Sequence, residues 1–151
     1  MTLEELQKRA CVLQDIEEIK KMHREYVLGV NNRRFGEIVD YFAENATVEI
    51  RKYGVWKGKK EIEKLFKEEI AGRQHSKGRY MLIQPVITVE GKTAKGHWIM
   101  DLLSHESFLT GESITTYETG RYDCEYIKEG GRWRFSYLKL TSPWPEIHER
   151  T

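Results

Sequence analysis

The chain has 151 residues, of which 39% are hydrophobic, and its formal net charge is +1 at pH 7. This length suits one domain, residues 1–151, with a real hydrophobic core, and the balanced charge argues against binding nucleic acid or an anionic membrane. No apolar run reaches the ~20 residues that a membrane span needs, and the charged N-terminus lacks a secretory signal core. The two cysteines form no metal-binding pattern, so we expect reduced thiols in a cytoplasmic protein.

Two capping patterns precede the first predicted helix. Thr2 and Glu5 have the spacing of a capping box, and Asp15 with Glu18 repeats that spacing with aspartate as the cap. The first pattern is followed by a narrow apolar seam, suited to another helix or a second subunit, at Leu3, Leu6, Ala10 and Leu13. The second is followed by a single helix face that ends near residue 30, formed by Ile16, Ile19, His23, Tyr26 and Val30.

Two further helices are predicted from apolar spacing, with a strand between them. The second helix is indicated by Phe35, Ile38, Val39 and Phe42. The third, which Gly72 is placed to end, is indicated by Ile62, Leu65, Phe66 and Ile70. Residues 46–56 between them are typical of a strand with a turn at Gly54.

The second half of the chain is predicted to be sheet. Four long strands cover residues 79–89, 93–107, 111–128 and 132–142, with tight turns at 90–92 and 129–131. Pro85 cannot donate a hydrogen bond to a neighbouring strand, so it predicts a bulge or a sheet edge. A curved antiparallel sheet of this size needs helices on its concave face. The expected fold is therefore α+β, a cone in which the sheet wraps around the N-terminal helices and leaves an internal pocket.

Five segments together resemble a known family. They are DIEEIKKMHREYVLGVN, FGEIVDYFAENATVEI, WKGKKEIEKLF, TAKGHWIMD and GGRWRFSYLKL. The chain is similar over almost its whole length to the cystatin-like cone proteins of the nuclear-transport-factor-two superfamily, and most similar to their SnoaL-like branch. That branch includes scytalone dehydratase and bile-acid dehydratase relatives, and its members often dimerise. The resemblance implies the fold, while the fold itself hosts dehydratases, isomerases, cyclases, hydrolases and proteins without chemistry.

The dehydratase pattern is matched at only one position. The pattern places a tyrosine on the first helix, and Tyr26 matches it. It expects an aspartate where this chain has Asn31 and a histidine near Tyr80. It also expects an aspartate near Leu102 and an arginine near Ser142. The resemblance therefore implies a member of the fold that lacks the family's usual acid–base residues.

Three residues are catalytic candidates. Tyr26 would polarise a substrate oxygen, or it is a core tyrosine. His23 lies one helical turn before it and would relay a proton, or it is a structural histidine. His97 is the other candidate for moving a proton. Asn31 cannot ionise; it would hold a substrate oxygen or a water, or it ends the helix.

The register of the strand at 93–107 decides which residues reach the pocket. With Trp98 facing inward, His97 faces outward, and a slip of one residue reverses the two. The predicted ligand contacts are Asn31, Tyr80, Trp98, Met100, Leu102 and Phe42. Two histidines and an aspartate on this strand are too extended to close around one ion, so we expect no metal and no cofactor.

Three functions fit this sequence. The first is a cofactor-free dehydratase or isomerase of a hydrophobic polycyclic or aromatic substrate, with Tyr26 polarising an oxygen and His23 or His97 moving the proton. The second is a protein that binds such a molecule without catalysis, and for both of these functions we expect a homodimer. The third is a structural subunit, like the small subunit of ring-hydroxylating oxygenases. Trp144 would cover the mouth of the cone or anchor a surface.

Overall fold

The computed structural model describes residues 1–50, 52–73 and 77–142, and Trp144 lies outside this part of the chain. Helix α1 spans Leu3–Asn31 and begins with the predicted capping box. The Glu5 amide donates to the Thr2 hydroxyl at 3.1 Å, and the Thr2 amide donates to the Glu5 carboxylate at 3.1 Å. These two bonds satisfy backbone donors that the first helical turn would otherwise leave unpaired.

Helix α1 packs against the rest of the domain only from Asp15 onward. Residues 1–14 are all exposed, and the first buried side chain is that of Ile19. Asp15 is not a cap, because the helix runs through it without interruption. Its carboxylate instead accepts hydrogen bonds from the Lys128 ammonium and the Trp133 indole, each at 3.0 Å. The predicted second cap is therefore wrong, and Asp15 joins the helix to the sheet.

The second predicted helix is shorter than its spacing suggested. Helix α2 covers Phe35–Ile38, a 3₁₀ turn covers Val39–Tyr41, and strand β1 covers Phe42–Ile50. Phe42 has extended backbone angles, φ −105° and ψ 139°, so it belongs to the strand. Strand β2 pairs antiparallel with β1 and spans Gly54–Lys57. Both phenylalanines that suggested the longer helix are still buried in the core.

The third helix is confirmed and ends in an unusual way. Helix α3 spans Lys59–Lys64, continues as a π-helical segment over Leu65–Ile70, and finishes as α4, Ala71–Arg73. A π-helical segment widens the turn, and such segments are frequent near functional sites. None of the helices in the described part of the chain combines the length and apolar character that a membrane span requires.

Six strands form one curved sheet that does not close. The four long strands are β3 Lys77–Glu90, β4 Thr93–Ser107, β5 Ser113–Glu129 and β6 Arg132–Thr141. The strand order is β2-β1-β6-β5-β4-β3. The α+β curved sheet packed on helices is confirmed, but the sheet is mixed, because β1 runs parallel to β6. The four long strands pair antiparallel as predicted, and the parallel pairing is confined to the junction with β1.

Strand β3 lies at the edge of the sheet and carries a bulge. Its pairing with β4 shifts between Ile83 and Val86. Gln84 has φ +52°, in the left-handed region that residues other than glycine rarely adopt. Pro85 follows it directly, so the predicted bulge at a sheet edge is confirmed.

The concave side of the sheet and the helices enclose an aromatic interior. The Tyr26 ring centroid lies 5.1 Å from that of Phe135 and 5.6 Å from that of Phe42. Phe66 from the third helix lies 6.1 Å from the same tyrosine ring. Ring separations of this size in edge-to-face arrangements are those of packed aromatic pairs.

Candidate functional site

A cleft of about 430 Å³ opens between the second half of α1 and the edge strand β3. One helix face forms one wall, because its residues recur every three or four positions: Lys20, Arg24, Val27, Leu28 and Asn31. The other wall comes from the bulged strand, at Tyr80, Met81, Leu82 and Pro85. Trp98 from β4 completes the lining. The walls are mainly apolar, with the polar side chains on the helix.

Asn31 joins the two walls of this cleft. Its side-chain amide nitrogen donates to the Tyr80 carbonyl at 3.0 Å, and its side-chain oxygen accepts from the Tyr80 amide at 2.8 Å. The amide thereby pairs with both backbone groups that Tyr80 presents at the free edge of the sheet. The helix C-cap is the next residue, Asn32. Asn31 is thus the last residue of the helix, and its side chain fixes the spacing of the cleft.

Trp98 connects the cleft to a buried polar network. Its indole nitrogen donates to the Tyr126 hydroxyl at 3.1 Å, and the His23 Nδ1 lies 2.9 Å from the same hydroxyl. The Trp98 and His23 ring centroids are 4.9 Å apart. The buried Cys124 thiol also lies against the Tyr126 hydroxyl, and burial raises the pKa of this thiol, so it is protonated.

His23 is fully buried and neutral. Desolvation lowers its pKa from 6.5 to about 3, because the charged imidazolium would lose its hydration. Its Nε2 atom has no hydrogen-bond partner among the described residues. When Nδ1 donates its proton to the Tyr126 hydroxyl, Nε2 carries a free lone pair in an aromatic environment. In that tautomer, His23 has an uncommitted proton-accepting atom inside the described fold.

Tyr26, Phe42 and Met100 belong to the packed interior and do not line the cleft. Tyr26 is 2% exposed, and the other two are fully buried. Burial raises the pKa of the Tyr26 hydroxyl well above 10, so this group stays protonated. Leu102 is half-buried and packs against the same core. Of the predicted ligand contacts, Asn31, Tyr80 and Trp98 meet at one cleft, and the remaining three do not.

His97 lies on the outer face of the sheet. Trp98 and Met100 are buried on the inner face, as one of the two predicted registers requires. The His97 side chain is 60% exposed, and its Nδ1 lies 2.7 Å from the Asp123 carboxylate. Arg121 holds the other carboxylate oxygen at 2.8 Å. His97 is therefore separated from Tyr26 and His23 by the sheet and cannot move a proton beside them.

Two features of this region were missed in the sequence. The partner of His23, Tyr126, is 103 positions away along the chain, and only the alternation of inward residues on β5 hinted at it. The helix cations Lys20 and Arg24 were also missed, although their i, i+4 spacing matches the cleft wall. Within the described ranges, no three His, Cys, Asp or Glu side chains are grouped closely enough to hold a metal ion.

Comparisons with known proteins agree with this fold. The family model described as "SnoaL-like domain" matches residues 12–139. No curated protein sequence matches the chain significantly. The solved structures that are similar include an NTF2-like protein with a cystatin-like fold from Novosphingobium aromaticivorans, at 18% identity and a TM-score of 0.73, covering 92% of this chain and 88% of that one.

Two other similar structures cover most of the chain. A single-residue variant of Rv3472, a protein of unknown function from Mycobacterium tuberculosis, is 20% identical with a TM-score of 0.73 and covers 94% of this chain and 76% of that one. A hexachlorocyclohexane dehydrochlorinase, LinA type 2, is also 20% identical with a TM-score of 0.73 and covers 92% of this chain and 95% of that one. At these identities the likeness shows a shared fold.

Proposed function

This chain belongs to the SnoaL-like domain family, and from that premise we propose that it binds a hydrophobic small molecule in the cleft between α1 and β3. One observation carries the proposal: Asn31, Tyr80 and Trp98, each singled out from the sequence as a ligand contact, line a single cleft. Its volume of about 430 Å³ falls in the range of roughly 300–1,000 Å³ typical of small-molecule sites.

The cleft walls favour an apolar occupant. Leu28 is 46% exposed, so it presents apolar surface that a ligand would cover. Val27, Leu82 and Trp98 lie deeper and are largely buried already. Removing apolar area from water stabilises a complex by about 25 cal/mol per Å². Asn31 holds the helix and the strand apart at a fixed distance, so little order is lost when a ligand enters.

A neutral fluorescent probe tests the proposal directly. Phenylnaphthylamine should bind saturably and gain fluorescence as it leaves water. Leu28→Glu places a carboxylate against the apolar body of the ligand and should weaken binding about tenfold or more, since covering a charged group with an apolar ligand is costly. Leu6→Glu makes the same change on the exposed first half of the same helix, outside the lining of the described grooves, and should have no effect. Absence of saturable binding, or equal binding by both variants, would contradict the proposal.

A second candidate function, proton abstraction in an elimination or isomerisation, is favoured by His23. Its Nε2 has no partner among the described residues, and its ring contacts that of Trp98, which lines the cleft. A low pKa keeps this imidazole neutral at pH 7 but makes it a weak base until a bound substrate changes its surroundings. Tyr26, held in its protonated form, is the candidate hydrogen-bond donor to a developing negative charge.

Chloride release from hexachlorocyclohexane tests this second function. The similar structure named as a dehydrochlorinase supplies the substrate to try. His23→Gln should abolish release, while His97→Gln on the outer face should leave it unchanged. If neither the native protein nor the His97 variant releases chloride, or if the His23 variant remains active, this chemistry is not catalysed by His23.

The outer face of the sheet is the proposed interface of a homodimer. Strands β3, β4 and β5 present an exposed apolar patch there, formed by Met81, Ile83, Val86, Leu103 and Tyr117. Charges of both signs lie beside the patch, including Asp123 and Arg121. A surface of this mixed character can pair with its own copy about a two-fold axis.

Native mass spectrometry tests the dimer. Val86→Glu should convert a dimer to a monomer, because it places an unpaired charge in the patch. Leu13→Glu alters the predicted helical seam instead and should leave the dimer intact. A monomeric native protein would contradict the proposed dimer. A dimer that is lost only in the Leu13 variant would place the interface on the first half of the helix instead.

A further inference from the structure

We infer that the molecule bound between α1 and β3 is an amphipathic organic anion, with an acidic group bound by Arg24 and Lys20 and an apolar body that lies toward Trp98 and Leu82. This inference rests on the proposed function and adds the chemical class of the ligand. It does not follow from the resemblance to the family, because neither cation belongs to the matched dehydratase pattern.

Arg24 and Lys20 stand on the same wall, one helical turn apart. Both line the cleft. Arg24 forms no ion pair among the described residues, so its guanidinium is available for a bidentate contact with a carboxylate or sulfonate. Within the same part of the chain, Lys20 pairs only with Glu17, at 3.2 Å, and the Glu17 side chain is 74% exposed. A solvated pair of this kind is weak and can exchange for a ligand anion.

The lining contains these two cations and no carboxylate. The other described grooves differ in this respect. The groove beside β4 and β5 combines Lys95 with Glu90 and Glu125, and the groove at the start of α1 combines Lys8 with Glu4. Because the whole chain has a formal charge of only +1, the positive charge of the cleft is a local property.

The axis of α1 sets the orientation of the ligand. At 1.5 Å per residue, Arg24 lies about 10 Å and Lys20 about 16 Å along the helix from Asn31. The carboxyl end of the helix carries partial negative charge, and its last turn contains no basic residue. An anion is therefore favoured near Arg24 and disfavoured near Asn31, which leaves the apolar stretch between them for the hydrophobic body.

Two dyes with nearly the same aromatic body separate this inference from the proposed function. Anilinonaphthalene sulfonate carries one negative charge, and phenylnaphthylamine carries none. Fluorescence titration of the native protein, Arg24→Gln, Lys20→Gln and Lys21→Gln gives four affinities for each dye. Lys21 is exposed on the same helix and lies outside the cleft, so its variant removes one positive charge without removing a contact.

The anionic dye should lose about tenfold in affinity in the Arg24 variant and about threefold in the Lys20 variant, because hydrogen bonds to charged groups are the stronger class. The neutral dye should bind all four proteins equally, and the Lys21 variant should match the native protein for both dyes. If the neutral dye binds but the affinity of the anionic dye is the same in the Arg24 and Lys20 variants as in the native protein, the anion inference is wrong and the proposed function still holds. Failure of both dyes to bind overturns the proposed function itself.

Discussion

The aromatic interior and the α1–β3 cleft are formed by the same three turns of one helix, yet they differ in almost every physical respect. In the interior, Tyr26 and His23 touch rings on several sides and are essentially inaccessible to water. In the cleft, Arg24 and Leu28 border open space and remain partly exposed. Tyr26, the one residue that matches the dehydratase pattern, is packed in the interior, whereas Arg24 and Leu28, which carry no such signal, line the space a ligand could enter.

This division follows from helix geometry. Successive residues are rotated by about 100° around the axis, so a shift of one position moves a side chain from the interior to the cleft. Asn31 lines the cleft, but its side-chain amide is already hydrogen-bonded to the backbone of Tyr80 at the edge of β3. A residue in a catalytic position of a fold is thus available for chemistry only when local structure has not used its polar atoms.

The largest predicted effect tests whether the interior is really packed. Phe135→Ala removes a fully buried ring that contacts both Tyr26 and His23. We expect a loss of about 3–5 kcal/mol in the free energy of unfolding, measured with urea, because the cavity cannot collapse. Leu28→Ala in the cleft should cost less than about 1 kcal/mol. Similar losses in the free energy of unfolding for the two variants would mean that the interior is no more tightly packed than the cleft.

The pH dependence of stability tests the burial of His23. Above pH 6.5 the imidazole is neutral in both the folded and the unfolded chain. Below that pH the unfolded chain takes up a proton, while the folded chain resists until its pKa of about 3. Stability should therefore fall as pH decreases, by about 2 kcal/mol between pH 6.5 and 5 from this group.

Two histidine variants isolate that contribution in urea titrations at several pH values. His23→Gln should flatten the profile over this interval, whatever its effect on stability at pH 7. His97→Gln, which alters a side chain on the outer face of the sheet that is 60% exposed, is the control variant. An unchanged slope in the His23 variant would mean that the imidazole already titrates normally in the folded protein.

Asn31→Asp tests the junction that holds the cleft open. Aspartate keeps the acceptor for the Tyr80 amide but cannot donate to the Tyr80 carbonyl when ionised. We expect a loss of at least about 1 kcal/mol at pH 7, which lessens near pH 4 as the carboxyl regains a proton. Asn32→Asp adds the same charge to the helix end and serves as the matched control. Equal losses would attribute the effect to the helix terminus alone.

The smallest effect concerns the bulge that forms part of the cleft wall. Gln84 has φ +52°, a conformation that costs an ordinary residue about 1–2 kcal/mol, and glycine adopts it freely. Gln84→Gly should raise the free energy of unfolding by up to about 1 kcal/mol, and Gln84→Thr should lower it. Binding of phenylnaphthylamine should persist in the glycine variant. A destabilised glycine variant would show that the side chain of Gln84 contributes more than its backbone costs.

Local patterns predicted the elements of this fold well because their causes are local. The capping box at Thr2, the long helix that follows and the tight turns between long strands each depend on neighbouring residues. The i, i+7 spacing of Phe35 and Phe42 wrongly predicted one continuous helix. Both residues are buried, one in a short helix and the other at the start of a strand, and this gives the same spacing of apolar residues as a single helix face.

The site was harder to predict because its partners are distant in sequence. Asn31 binds a backbone 49 positions away, and no local feature reveals that bond. The direction of His97 depends on strand register, where a single residue reverses the side chain. The sequence therefore supplied the candidate residues, and only the packed chain shows which polar atoms are already engaged.

The parallel pairing of β1 with β6 has a consequence for how the chain reaches its native state. Val48 pairs with Leu138, about ninety positions later, whereas β3, β4 and β5 each pair with the next strand in sequence. Closing a loop of that length costs entropy before the contact can repay it, so the hairpins are expected to assemble first. During synthesis, β1 cannot pair with β6 until β6 has left the ribosome. The apolar side chains of β1 can meanwhile bind chaperones.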